Sequence, residues 1–163
     1  MNIRRATTAD APALLAIYTP FVEDSTVSFE LTAPTVEEFA GRIEQSLSTH
    51  EWLVMTDGER YCGYAYSTPH RAREAYRFSV ETSVYVATDY RGNGIGKQLY
   101  YALFESLHAL GYKSAYAGIT MPNPASIALH SAVGFKKVGV YSDVGFKFGQ
   151  WHDVSWWQRH VAD

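Results

Sequence analysis

Apolar residues recur along this chain with two different periods. Val36, Phe39, Ala40, Ile43 and Leu47 share one stripe at the helical period. Thr35-Val36-Glu37-Glu38 opens that stripe as a capping box, with a hydroxyl at the N-cap and a carboxylate three residues on. Upstream, Ala13, Leu14, Ile17 and Tyr18 mark another helix that Thr8 or Asp10 can cap, after a short strand near Ile3. From Glu51 to Thr68 the pattern becomes that of strands. Trp52 to Thr56 and Tyr61 to Ser67 are joined by a turn at Asp57-Gly58, which predicts an antiparallel hairpin. A long strand is expected from about Phe78 to Val86, and Ile95, Leu99, Leu103, Leu107 and Leu110 then mark a helix closed by Gly111. Ser114 to Thr120 reads as a strand, Asn123-Pro124 opens a short helix that Gly134 ends, and two more strands are expected near Val138–Tyr141 and Val154–Gln158.

Hairpins mixed with helical crossovers exclude a fully parallel doubly wound sheet. The expected fold is α/β of the α+β kind, a central mixed and mostly antiparallel sheet of about 6–7 strands flanked by about 4 helices. The 163 residues, without internal repeat, linker or low-complexity tract, are read as a single domain over 1–163.

Composition narrows the function. Apolar residues at 47% and charged residues at 19% are ordinary for a chain that folds unaided. A formal net charge of -3 argues against a nucleic-acid partner, since phosphate-backbone binders carry a basic excess. The charge is unevenly spread: no Asp or Glu falls between Glu105 and Asp143, where Lys113, Lys136 and Lys137 lie. No apolar run approaches the ~20 residues that span a bilayer, and Met1-Asn2-Ile3-Arg4-Arg5 does not lead into a signal-peptide core, so no membrane partner is expected. The lone Cys62 cannot form an internal disulfide and reads as a buried structural thiol in a reducing cytoplasm.

The run Arg91-Gly92-Asn93-Gly94-Ile95-Gly96, with Lys97 following, lies between the long strand and the long helix. Glycines at spacing two let backbone N–H groups converge on an anion, and the helix N-terminus adds its positive dipole end. A triphosphate-binding P-loop is excluded, because Arg91 stands where its first Gly belongs and Lys97 is followed by Gln98. A dinucleotide fingerprint would need Gly at 97 and an acid about 20 residues on, inside the acid-free stretch. A turn that merely reverses the chain stays open on the loop alone.

With its neighbours, the loop resembles the coenzyme A loop of the GNAT acetyltransferase superfamily, through Arg91, Gly94 and Gly96. Asn123, Ser126, Leu129, His130, Gly134 and Phe135 resemble that superfamily's second cofactor segment, with His130 where many members carry Tyr. Phe29 in Thr26-Val27-Ser28-Phe29-Glu30, the run Arg71-Ala72-Arg73-Glu74-Ala75-Tyr76, Glu81 in Val80-Glu81-Thr82-Ser83-Val84-Tyr85-Val86, and Gly145 to Val154 are together similar to the phosphinothricin and methionine sulfoximine N-acetyltransferases. The resemblance covers nearly the whole chain. It implies a GNAT-like fold, acetyl-CoA as co-substrate, no metal, a homodimer, and as acceptor the free amine of a small anionic amino-acid analogue. Another amine, such as a polyamine, an aminoglycoside or a protein terminus, and a non-catalytic acyl-CoA-binding module are the competing readings.

Roles follow as expectations. Amide formation from a thioester needs a neutral amine, and Glu81, set mid-strand among apolar and small residues, is expected to be buried and to serve as the general base. A splayed strand end at Val84, Tyr85 and Val86 would offer a backbone N–H to the charge developing on the carbonyl oxygen. His130 would reprotonate the departing thiolate or touch substrate. Arg71, Arg73 and Tyr76 suit an acceptor carboxylate or phosphinate, and Phe29 and Trp151 would supply apolar walls. Gly92, Asn93, Gly94, Ile95, Gly96, Lys97, Asn123 and Ser126 complete the expected cofactor site.

Overall fold

The computed structural model describes residues 1–163. In chain order the elements are β1 (Asn2–Arg5), α1 (Ala11–Glu23), α2 (Val36–Thr49), β2 (Trp52–Asp57), β3 (Arg60–Pro69), β4 (Ser79–Val86), α3 (Ile95–Ala109), β5 (Ser114–Thr120), α4 (Pro124–Ala132), β6 (Lys136–Lys147) and β7 (Gln150–His160). They form one seven-stranded sheet in the order β1-β2-β3-β4-β5-β7-β6. Every neighbouring pair is antiparallel except β4 and β5. The mixed, mostly antiparallel sheet with four helices is the fold expected from the order of elements.

Local chemistry accounts for the element boundaries. At the start of α2, Thr35 Oγ1 accepts from the Glu38 N–H and Glu38 Oε2 accepts from the Thr35 N–H, which completes the capping box. Gly111 and Gly134 close α3 and α4 with φ of 90° and 91°. Period-two alternation, interrupted by a bulge at Cys62, then divides the sheet's two faces. Leu53, Met55, Cys62, Ala65 and Val80 pack under α3, through Leu99, Leu103 and Leu107, and form one core. Trp52, Val54, Tyr64 and Tyr85 face the other way, against Leu14, Tyr18 and Val22 of α1 and Phe39 and Ile43 of α2.

The last two strands are longer than their sequence pattern predicts, at 12 and 11 residues. Alternation fails in β6 because only Lys147 on it is buried, and because the register with β7 shifts between Lys137 and Gly139 and again between Tyr141 and Gly145. Such bulges insert unpaired residues, here including Asp143 at a positive φ of 49°, and erase the period that marks a strand in sequence. No helix is long and apolar enough to cross a membrane.

Candidate active site

The site is built along β4. This strand pairs with β3 from Val80 to Val86, but with β5 only at Ser79–Ser114, Val80–Ala115 and Glu81–Tyr116. Beyond Glu81 the two parallel strands part, so the residues from Thr82 to Val86 have no β5 partner along that edge. The splay predicted at Val84-Tyr85-Val86 therefore begins already at Thr82. Alternation directs Val84 and Val86 to the α3 core and Tyr85 to the opposite one, and a groove lies on each face beside the wedge.

The groove on the α3 side encloses about 540 Å³. Val84, Val86, Arg91, Gly92, Gly94, Ile95, Gly96, Lys97, Asn123 and Ser126 line it, together with Phe21, Val27, Tyr90 and Leu129. Gly92 and Gly94 take φ of 78° and 74°, where a side chain is strained, and a Cβ on Gly92 would meet nothing within 4 Å. The backbone N–H groups of residues 92 to 97 find no acceptor within the chain, and the first turn of α3 holds no acid. Six unpaired donors at a positive helix end fit a diphosphate. Arg91 leans its guanidinium 5.0 Å from the Phe21 ring centre at the groove wall.

Two of the expected cofactor residues turn their side chains elsewhere and offer the groove only backbone. Asn93 turns its amide back onto the Tyr90 and Arg91 carbonyls at 3.3 Å each, so it braces the loop rather than lining the groove. The Tyr85 side chain lines the opposite groove. Asn123 caps α4 by accepting from the Ser126 N–H at 3.2 Å, which fixes the groove's far rim.

The second groove, about 430 Å³, collects Glu81, Thr82, Ser83 and Tyr85 of β4, Tyr66 and Thr68 of β3, Gly118 and Thr120 of β5, Tyr141 and Val144 of β6, and Val154 and Trp156 of β7. The segment between α1 and α2 covers it with Val27, Ser28 and Phe29. That cover is tied down from β6. Lys147, buried to 3% exposure, donates to the carbonyls of Val22 at 2.6 Å and Ser28 at 2.7 Å. Phe29 lies so close to Gly145 that an added Cβ would sit 2.2 Å from its ring.

Glu81 is not enclosed as expected: its side chain is 31% exposed on the groove floor. Strand alternation turns it away from the α3 core that buries Val80. Its Oε2 meets His70 Nδ1 at 3.1 Å and Arg71 Nη1 at 3.5 Å, while Oε1 has no partner in the chain. Arg71 is thus at the groove's edge. Arg73 and Tyr76 line a second, shallow cleft with Thr49, His50 and Tyr112, which Arg71 also lines, because the turn after β3 carries the run past the groove mouth.

His130 departs from both roles expected of it. It is buried to 5% exposure and lines neither groove. Its Nδ1 must donate to the Ser126 carbonyl at 2.7 Å, and its Nε2 pairs with the Tyr100 hydroxyl at 2.8 Å. Burial lowers its pKa and favours the neutral ring. With both nitrogens engaged, it has no proton to offer a thiolate and anchors α4 to α3 instead. Trp151 is 62% exposed and packs on Phe146 away from both grooves, since the β6–β7 hairpin projects it outward. Sequence reasoning missed His70, Tyr66, Thr68, Lys147 and Trp156. The β3–β4 register, which sets Thr68 opposite Glu81, brings Tyr66, Thr68 and His70 to the groove, while Lys147 and Trp156 arrive from β6 and β7.

Comparison with known proteins gives concordant findings. The acetyltransferase (GNAT) domain family matches residues 3–156. The chain is 39% identical to a phosphinothricin N-acetyltransferase of Streptomyces viridochromogenes, over 98% of this chain and 87% of that protein. It is 38% identical to the L-methionine sulfoximine/L-methionine sulfone acetyltransferase of Pseudomonas paraeruginosa, over 98% and 94%. A ribosomal-protein-alanine N-acetyltransferase from Brucella melitensis superposes with a TM-score of 0.95 at 39% identity, over 98% of this chain and 99% of that one. A phosphinothricin acetyltransferase from Sinorhizobium meliloti, solved in complex with AcCoA, superposes with a TM-score of 0.92 at 37% identity, over 98% and 87%.

Proposed function

The chain belongs to the GNAT acetyltransferase family, and from that premise we propose that residues 1–163 act as one domain that acetylates the α-amine of a small anionic amino-acid analogue, of the phosphinothricin or methionine sulfoximine type. The observation that carries this reading is the wedge between β4 and β5. It joins the diphosphate cradle on one face to a groove holding a free carboxylate oxygen on the other.

Bound acetyl-CoA supplies the acetyl group as a thioester, which an amine attacks only when it carries a lone pair; as the C–N bond forms the C–S bond breaks, and the departing thiolate takes up the second proton that the nitrogen loses. The amides of residues 92 to 97 hold the diphosphate, and Val84 and Val86 wall the arm that leads to the wedge. Glu81 Oε1 takes the proton from the acceptor ammonium, directly or through one water. A backbone N–H on the unpaired edge after Glu81 faces the charge that develops on the carbonyl oxygen. Arg71, at the groove's edge, offers a fork to the acceptor's anionic group and disfavours polyamines. The expected setting is the cytoplasm, in keeping with the buried free thiol of Cys62, and the expected state is a homodimer.

A thiol-release assay with phosphinothricin, methionine sulfoximine, methionine sulfone, spermidine and a peptide with N-terminal alanine tests the acceptor. The three analogues are expected to turn over fastest. Faster acetylation of spermidine or the peptide would overturn the choice of substrate class. Glu81→Gln is expected to lower kcat by about 10²–10⁴-fold while calorimetry finds acetyl-CoA affinity unchanged. Unaltered turnover would remove Glu81 as the base.

A further inference from the structure

We propose that His70 is the positioning residue for Glu81, holding one carboxylate oxygen so that the other is presented to the acceptor amine. The inference rests on Glu81 being the base.

His70 follows directly after β3. Its backbone N–H reaches the Ser79 carbonyl at 3.4 Å, which extends the β3–β4 ladder by one step and leaves His70 diagonal to Glu81 across the pair. Its ring is confined by aromatic neighbours. It stacks on Tyr116 at 4.4 Å and 15°, and meets Tyr76 at 6.1 Å and Trp156 at 6.4 Å, each at 73°. Tyr116 is itself the register partner of Glu81 on β5, at the last rung before the strands part. The ring is thus fixed by the elements that form the wedge, and its side chain is only 15% exposed.

That confinement gives the 3.1 Å contact between Nδ1 and Glu81 Oε2 a direction. An ionised carboxylate only accepts, so Nδ1 carries the hydrogen. The other side chain at the carboxylate is Arg71, and it cannot do the same work. Its side chain is 47% exposed, and its Nη1 lies at 3.5 Å, the limit of a hydrogen bond. Tyr76 and Tyr116 face the imidazole with their rings. Oε1 remains without a partner in a groove lined by Tyr66, Thr68 and Trp156. Glu81 is partly exposed, and without this tether its carboxylate would sample rotamers that turn Oε1 away from the amine. Small misplacements of a reacting group cost rate steeply.

Two substitutions separate the hydrogen bond from the stacking. His70→Phe keeps a ring on Tyr116 and loses the donor. His70→Asn loses the ring and keeps an N–H donor at the place of Nδ1. His70→Phe is expected to lower kcat by about 10- to 100-fold, with the acetyl-CoA dissociation constant and the Tm close to those of the parent. His70→Asn is expected to restore most of that loss. Equal activity of His70→Phe and the parent, or His70→Asn no better than His70→Phe, overturns the proposal. An α-aminooxy analogue of the acceptor supplies a nitrogen already neutral at pH 7. His70→Phe is expected to act on it nearly as fast as the parent, and a loss as large as with the α-amine also overturns the proposal. Glu81→Gln run alongside keeps the two readings apart: if it stays active, the base assignment fails, and if only the His70 results fail, the base assignment stands.

Discussion

Gly94 stands at φ 74° one residue before α3, in the left-handed region where a β-carbon costs about 1–2 kcal/mol. Gly94→Ala should therefore lower the Tm by about 2–8 °C for a chain of this length. The same relaxation would turn the loop's amides out of line, so calorimetry should find acetyl-CoA bound more weakly. Unchanged affinity would mean that the cradle does not depend on this conformation. His130 makes a pH prediction. Burial lowers its pKa, so the unfolded chain takes up a proton that the folded chain refuses. Stability is then fully present above the unfolded value of about 6.5 and is lost as pH falls from there toward the folded value. His50, also lowered by burial, adds in the same direction. Scanning calorimetry between pH 7.5 and 5.0 should show Tm falling with acidity, and His130→Phe should flatten part of that slope. The short-range signals at these positions, a glycine spacing and a capping Asn, could be read in sequence. The environment of His130 could not, because Tyr100, its partner, lies 30 residues away on another helix.

Among the elements, the segment between α1 and α2 depends most on distant chemistry. Within residues 24 to 35 only the resemblance at Phe29 points to the acceptor site, and no local pattern marks the segment as the cover of a groove. Its place is set by Lys147, whose ammonium reaches the Val22 and Ser28 carbonyls from β6, and by Gly145, which leaves room for Phe29. Both are more than a hundred residues away, and the bulges that hide β6 from periodicity also hide this dependence. The helices and the β2–β3 hairpin were legible because capping and alternation are local. That Arg73 and Tyr76 share a second cleft with Arg71, and that Trp151 lies outside both grooves, was not legible because a turn's exit direction depends on what packs beneath it. Lys147→Met should leave two carbonyls without their donor and free the cover. The acceptor KM should then rise several-fold at unchanged acetyl-CoA affinity, and proteolysis within residues 24 to 35 should accelerate. An acceptor KM equal to the parent's would show that the cover does not shape that groove.

For the molecule as a whole, the open question is what meets the outer edge of the sheet. β6 is an edge strand of 12 residues, and Val138, Val140, Tyr141, Val144, Phe146, Phe148 and Trp151 on the β6–β7 hairpin are all between 43% and 63% exposed. A long apolar edge left to water invites uncontrolled pairing, and chains that keep one normally cover it. A second copy is the occupant we expect, because a two-fold pair of such hairpins buries the same patch on both subunits. Sedimentation equilibrium at micromolar concentration should give twice the 18.3 kDa chain mass. Phe146→Asp together with Trp151→Asp, both outside the two grooves, should halve it by placing charge in the contact. Tyr141 and Val144 belong to the same strand and also line the acceptor groove. The monomeric variant should therefore bind acetyl-CoA as the parent does but lose apparent acceptor affinity, because the strand that walls that groove would no longer be held by its partner. A parent that sediments as one chain would leave the hairpin's apolar face to some other use and sever this link between assembly and specificity.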